Sequence, residues 1–279
     1  MQSRGDIFLE TYRETLHSDG KNVGLINFVV WSDVIRCTNC GYSDTYWNLA
    51  VNHKTRYRIK KNEDIVCNEC KASFPLNKWE RVFTSNYDSI LGCLDNQIKI
   101  NPVLINYTLG SNKYEKTPDD NDYKILNEIW SLQDMSNTFK TLRMPQGDES
   151  RRNDNIGIKY THQFYIKRTL SALRLLWEKS RASYARYNLL FWLQSVGLGF
   201  TRLNRYLEAS FSQVNRYLKG TLYIAPFSTE VSPRYALKGK INRMQKSFFD
   251  KNNSYFFCIT TETSTGLSPF LGLNTVLCQ

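Results

Sequence analysis

Cysteine spacing constrains this chain more than any other feature. Cys37-Thr38-Asn39-Cys40 and Cys67-Asn68-Glu69-Cys70 form two CxxC pairs separated by 26 residues. Each pair places two thiolates on one tight turn, and the two pairs together supply the four soft ligands of a closed tetrahedral Zn²⁺ site. Gly41 follows the first pair, where a knuckle turn favours positive φ. The intervening stretch is long for a ribbon but compatible with a hairpin between two knuckles. Four thiolates leave no position open for substrate or water, so the spacing predicts a structural zinc held by Cys37, Cys40, Cys67 and Cys70.

The rest of the composition sets bounds around that centre. A length of 279 residues accommodates one large domain or two small ones, and 41% hydrophobic with 14% aromatic residues is ample for a core. No run of about 18 apolar residues is present, so no membrane span is expected. Met1-Gln2-Ser3-Arg4-Gly5-Asp6 lacks the charged-then-apolar pattern of a secretory signal. Four of seven cysteines fall in metal spacing, which fits a reducing cytoplasm better than a disulfide scaffold; Cys93, Cys258 and Cys278 read as ordinary thiols. The net charge of +11 is unevenly spread: residues 155–251 hold 17 Lys/Arg against 4 Asp/Glu, and the remainder holds 20 against 22. Such polarity points to a polyanionic partner, most simply nucleic acid, although solvated helix faces whose acidic partners lie elsewhere have the same composition.

Periodicity predicts an α+β chain. A short amphipathic helix is expected over Asp6–His17, broken by Gly20 and Gly24, then a strand over Leu25–Trp31. Between the cysteine pairs, Tyr46-Trp47 and the basic stretch Lys54–Lys61 read as a polar hairpin, and Trp79 and Val82 are placed to cover one side of the metal. Pro102–Tyr107 reads as a strand turning at Gly110-Ser111. Asp119 or Asp120 is a candidate N-cap for a helix over Asn121–Trp130, and Asp134–Asp154 reads as a surface loop or linker. The strongest helix is expected over Phe164–Ser183, with Ile166, Leu170, Leu173 and Trp177 as its apolar stripe. Lys167, Arg174 and Arg181 recur every seven residues along its flank, where a phosphate backbone could run or where the side chains could merely snorkel. Leu189–Leu193 fits helix or buried strand. Asn204–Leu218 is a basic aromatic segment, Gly220–Ile224 reads as a strand ended by Pro226, and Arg234–Phe249 is a basic helix candidate.

Few motifs carry chemistry beyond the cysteines. Arg151 and Arg152, after Gly147, supply two guanidinium forks that suit phosphate or guanine, or equally a solvated loop with local Arg–Asp pairs. His162 reads as a packed or capping residue. Gly197-Leu198-Gly199-Phe200 lacks the third glycine of a dinucleotide turn.

The ordered set Phe28-Val29-Val30-Trp31-Ser32, the two CxxC knuckles, Pro102–Tyr107, Glu115-Lys116-Thr117-Pro118, Met144-Pro145, Gly147–Asp154, His162, Phe164-Tyr165, Lys167-Arg168 and Gly220–Ile224 resembles the central region of large bacterial and archaeal site-specific DNA methyltransferases. Members of that type methylate adenine N6 or cytosine N4. The resemblance spans about residues 20–268, with Thr260–Ser268 similar to the stretch before the catalytic strand and Pro269–Gln279 departing from the pattern. It implies a DNA partner, and contacts by Arg151, Arg152, Lys167, Arg168, Arg174 and Arg181. The family's S-adenosylmethionine loop and its Asp/Asn-Pro-Pro-Tyr/Phe catalytic loop have no counterpart here, since none of the seven prolines is followed by another. S-adenosylmethionine is therefore expected only in a complete or reconstituted enzyme, with no catalytic residue in this chain and with neighbouring chains as possible suppliers of the missing loops.

The expected layout is an N-terminal helix and strand over 1–30, a zinc ribbon over 31–82, and a strand, short helix and Arg-rich loop over 83–155. A basic, mainly helical region with a few strands follows over 156–268, and then a non-matching tail over 269–279, together a partial methyltransferase architecture. A truncated remnant, a split-enzyme subunit and a free-standing zinc-ribbon nucleic-acid binder stay open as readings.

Overall fold

The computed structural model describes residues 14–52, 57–58, 60, 62–131, 141–207 and 213–249. Contacts group Met1–Lys240 into one unit and Ile241–Gln279 into a second, of which the description covers 241–249.

The first unit begins with β1 (Glu14–Leu16), followed by the 14-residue strand β2 (Val23–Arg36), which organises everything around it. β-branched and aromatic residues fill its middle, and it is buried on both faces, as a central strand with partners on either edge must be. The ribbon follows with β3 (Ser43–Thr45), the one-turn helix α1 (Tyr46–Leu49), β4 (Val51–Asn52), β5 (Tyr57–Arg58), β6 (Asp64–Val66), β7 (Ser73–Pro75) and β8 (Glu80–Arg81). The chain then forms β9 (Phe83–Asp88), β10 (Cys93–Ile98), β11 (Ile100–Leu109), β12 (Asn112–Lys116), α2 (Asp120–Ser131), α3 (Asp148–Arg151), α4 (Lys167–Arg181), α5 (Arg186–Gln194), β13 (Phe227–Val231) and α6 (Pro233–Phe249). The mixed α+β character expected from the sequence is present.

All pairings of β2 are antiparallel. β11 runs along one edge from Leu25 to Asp33, while β1 and β13 share the other. Beyond Asp33 the same strand leaves this sheet and pairs with β3 and β8 of the ribbon. Two register shifts interrupt β2–β11. One places an extra residue, Val103, beside Pro102, a residue that cannot donate to the ladder and is tolerated at a bulge. The other leaves Asn27 unpaired in β2 and reverses the alternation. Ile26 thereby joins Val29 and Trp31 in the cluster with Ile105, Tyr107, Leu126 and Ile166, while Phe28 and Val30 face Phe227, Val231 and Leu193 on the other side.

Several expected elements change. The helix over Asp6–His17 lies mostly outside the described residues, and its end is β1, recruited to the open edge of β2 and tied by the Thr15 hydroxyl to Asp122 at 2.6 Å. Gly220–Ile224 is not a strand: Glu149 accepts from the Thr221 hydroxyl and the Leu222 N–H, and Asn153 donates to the Leu222 carbonyl, so side chains take the hydrogen bonds a ladder would need. The strand comes after Pro226, as β13. The expected loop over Asp134–Asp154 contains α3, with 132–140 outside the described residues. The strong helix begins at Lys167 because Thr161–Phe164 forms a 3-10 turn first, and Trp177 at the far end of its stripe is exposed. Leu189–Leu193 lies in helix α5, and Asp119 caps α2, accepting from the N–H groups of Asn121 and Asp122 at 3.0 and 3.1 Å. Most of Lys54–Lys61 lies outside the described residues; within it, β5 pairs antiparallel with β4. Thr260–Ser268, Cys258 and Cys278 lie outside them altogether.

Candidate metal centre

The two CxxC turns are built alike. The Cys37 N–H donates to the Tyr42 carbonyl at 2.8 Å and the Gly41 N–H returns to the Cys37 carbonyl at 3.0 Å. In the second turn the Cys67 N–H donates to Ala72 at 2.9 Å and the Lys71 N–H to Cys67 at 3.1 Å. The residue after each pair has positive φ, +79° at Gly41 and +59° at Lys71. Glycine occupies that left-handed region without steric cost; lysine does not, so the second turn holds Lys71 there against its preference. The Lys71 ammonium donates to the Asn68 carbonyl within its own turn. Nothing about Lys71 itself signals this geometry; its offset from Cys70, the same as that of Gly41 from Cys40, is the only trace in the sequence.

The four sulfurs all lie within 4.8 Å of one another, with Cys37 to Cys70 at 3.8 Å and Cys40 to Cys67 at 3.7 Å. A tetrahedral site with Zn–S bonds of about 2.3 Å has sulfur–sulfur edges of about 3.8 Å. The donor set therefore fits a soft ion, and the four cysteines can hold a metal such as zinc. Cys37 and Cys67 are buried, Cys40 exposed and Cys70 between the two.

The surroundings favour thiolate at one sulfur before any ion arrives. The Asn39 amide donates to Cys70 at 3.4 Å and, with the Ala72 N–H, pulls that thiol down to about 6. The Tyr42 N–H acts in the same direction on Cys40, but desolvation and the three neighbouring sulfurs push it up to about 12. Binding of a cation at the centre would displace the remaining protons. Ile35, Leu49, Ala50, Ile65 and Trp79 pack with Cys37 and Cys67 into one apolar cluster, so Trp79 packs beside the site as expected. The backbone of Val82 links strands, donating to the Val34 carbonyl and accepting from the Lys99 N–H.

The expected nucleic-acid residues are not gathered with the cysteines into one site. Arg151 pairs with Asp154 at 2.6 Å and Arg152 with Glu149 at 2.8 Å, the local pairing that the loop composition allows. Lys167 is exposed and donates to the Tyr87 carbonyl at 3.0 Å; Arg174 lies 3.8 Å from Glu178; Arg181 is exposed. Arg168 is buried, and its guanidinium binds Glu230, which also accepts from the Trp31 indole at 2.8 Å and the Thr169 hydroxyl at 2.7 Å. Burial alone would raise the Glu230 carboxyl; Arg168 and the two neutral donors hold it below the usual range. Arg202 is likewise interior, beside Asp33 at 3.8 Å. Part of the basic excess of the C-terminal half therefore lies inside the fold.

His162 is buried, with Nε2 2.8 Å from Asp88, in keeping with a packed histidine. Gly197–Phe200 forms a 3-10 turn rather than a cofactor loop. No helix among the described residues is long and apolar enough to cross a membrane. Comparison with protein-family models, with curated proteins and with solved structures finds no match.

Proposed function

We propose that this chain is the DNA-holding, target-recognition part of a site-specific amino-methyltransferase, organised by a structural zinc ribbon. The observation that carries the reading is the closed four-sulfur centre: with every position of a tetrahedron filled by cysteine, the ion organises chain and performs no chemistry. The ordered run of residues that resembles the methyltransferase family supports the enzyme context, and the basic excess of residues 155–251 supports a polyanion as ligand. S-adenosylmethionine and the loop that holds the flipped base would come from neighbouring chains. Of the residues expected to touch DNA, Lys167, Arg174, Arg181, Arg151 and Arg152 remain available at the surface, the last two by exchanging Asp154 and Glu149 for phosphate.

Titration of the full chain with a labelled duplex at several salt concentrations tests this. Binding should weaken steeply with salt, and replacing Lys167, Arg174 and Arg181 together by Ala should reduce the magnitude of the log–log slope by about 3, one for each phosphate no longer neutralised. Absence of duplex binding at low salt, or a slope that does not change, overturns the DNA-holding reading. Methyl transfer that appears only on addition of a chain carrying the cofactor and catalytic loops supports the enzyme context. Tight binding with no such dependence favours a free-standing binder.

A further inference from the structure

Helices α4 and α5, joined by residues 182–185, form a helical hairpin whose inner and outer sides differ sharply. Leu173 and Leu176 of α4 and Trp192 and Leu193 of α5 belong to one core cluster, so the outer sides of both helices turn away from the same core. On the outer side of α5 stand aromatic rings rather than the polar residues that solvent favours. Tyr187 and Phe191 leave 53% and 55% of their surface exposed, Tyr184 in the connecting turn is fully exposed, and Trp177, which follows Leu173 on the stripe of α4, is 45% exposed at the end of that stripe. Tyr187 and Phe191 are four residues apart and share one face of α5; Trp177 and Arg181 have the same relation on α4. The guanidinium of Arg186 lies 4.7 Å from the Tyr187 ring centroid and donates to its hydroxyl at 2.9 Å.

The charge of this surface selects among possible occupants. Residues 167–194 contain six Lys/Arg, of which Arg168 is buried against Glu230, and one Asp/Glu, Glu178, which pairs with Arg174. Exposed rings interleaved with guanidinium groups, on a surface nearly free of carboxylates, are what unpaired bases require: each base offers a π-face to stack on, and its phosphate needs a cation alongside. A paired duplex offers its phosphates but not its base faces, so it would use the cations and leave the rings idle. We infer that the outer face of the α4–α5 hairpin binds single-stranded DNA, with Tyr187 and Phe191 as stacking platforms and Arg181 and Arg186 neutralising the backbone. The inference rests on the DNA-holding reading and adds to it a preference for unpaired bases at a defined surface.

The experiment is fluorescence anisotropy of the full chain with a labelled oligothymidylate and with a labelled duplex of equal length. Wild type is compared with a Tyr187→Ala/Phe191→Ala double variant and a ring-retaining Tyr187→Phe/Phe191→Tyr variant. Both side chains lie at the surface, and a melting curve for each variant confirms that the fold is intact. The expected result is oligothymidylate affinity reduced about 10- to 100-fold in the double Ala variant, retained in the ring-retaining one, and duplex affinity changed less than about twofold. Normal duplex binding together with unchanged oligothymidylate binding in the double Ala variant overturns the inference and leaves the DNA-holding reading standing. Failure of wild type to bind either DNA removes both. Self-association of wild type that the double Ala variant abolishes, without any effect on oligothymidylate, overturns the inference by assigning the face to a second copy of the chain.

Discussion

The ribbon and the central sheet both keep polar groups in a buried setting, but they assemble the partners from very different stretches of chain. In the ribbon, four ligands come from two four-residue turns, and each turn closes through its own backbone hydrogen bonds. In the sheet, the Glu230 carboxylate takes donors from Trp31, 199 residues earlier, and from Arg168 and Thr169, 62 and 61 residues earlier. The ribbon's one apolar cluster includes two of the cysteines themselves, whereas β2 within the sheet carries a separate cluster on each face. The first region should therefore depend on a metal bound by its cysteines for order, and the second on simultaneous docking of elements distant in sequence.

Removing the ion should have the largest effect. Structural zinc supplies on the order of 10 kcal/mol to small metal-organised domains. Chelation, or Cys67→Ser, is expected to abolish hydrogen-exchange protection at the Cys37, Gly41, Cys67 and Lys71 amides while the amides of Val29 and Val30 stay protected. Protection lost equally in both regions would show that β2 transmits the disorder and that the two are one cooperative body. Protection retained in both, with metal content unaltered in Cys67→Ser, would remove the metal assignment.

The sheet offers the second test. Glu230→Ala leaves Arg168 buried and charged with no carboxylate, and breaking a buried pair from one side costs about 3–5 kcal/mol. The expected outcome is a large fall in the urea midpoint of the sheet with bound zinc still stoichiometric. A change below about 1 kcal/mol would mean that the Trp31–Glu230–Arg168–Thr169 group does not hold the sheet together.

These two regions also differ in how far the sequence revealed them. The knuckles could be read from Cys37, Cys40, Cys67 and Cys70 because the ligands that meet in space are also grouped in sequence. The middle of β2 and the body of β11 were readable for a similar reason, since their β-branched and aromatic runs are continuous. Glu230 and Arg168 were not readable. Arg168 lies beside Lys167 in a basic helix and looks like any surface cation until β13, formed more than fifty residues later, delivers a carboxylate to it. Gly220–Ile224 misled because its strand-like composition is outweighed by the Glu149 and Asn153 side chains that take its backbone hydrogen bonds. The outward rings of α5 were hidden too: Leu189–Leu193 is apolar on every side, so periodicity could not tell which face would meet the core.

Asp33 marks the junction between the two regions. It is the last residue of β2 paired with β11 and sits one position before Val34 pairs with β3. Burial pushes its carboxyl up to about 6, against the opposing pull of Arg202 and Arg81. Between its ordinary value of 3.8 and about 6, the folded chain therefore holds a proton there that the unfolded chain has released. The stability this group contributes is complete below about pH 4 and declines as pH rises through about 6, by about 3 kcal/mol in all. Asp88, Asp119 and Glu230, all held low, run in the opposite sense: their contributions are present above their ordinary values and are lost as pH falls. Those contributions are common to wild type and Asp33→Asn, so the difference between the two stability curves isolates the junction. That difference should shift by about 3 kcal/mol in favour of Asn between pH 4 and pH 7, read from urea midpoints at fixed salt. A flat difference would mean that Arg202 and Arg81 compensate the buried charge fully, making the junction an ion cluster continuous with the sheet. A slope confined to the ribbon's amides in hydrogen exchange would instead place the protonated carboxyl on the ribbon's side of the boundary.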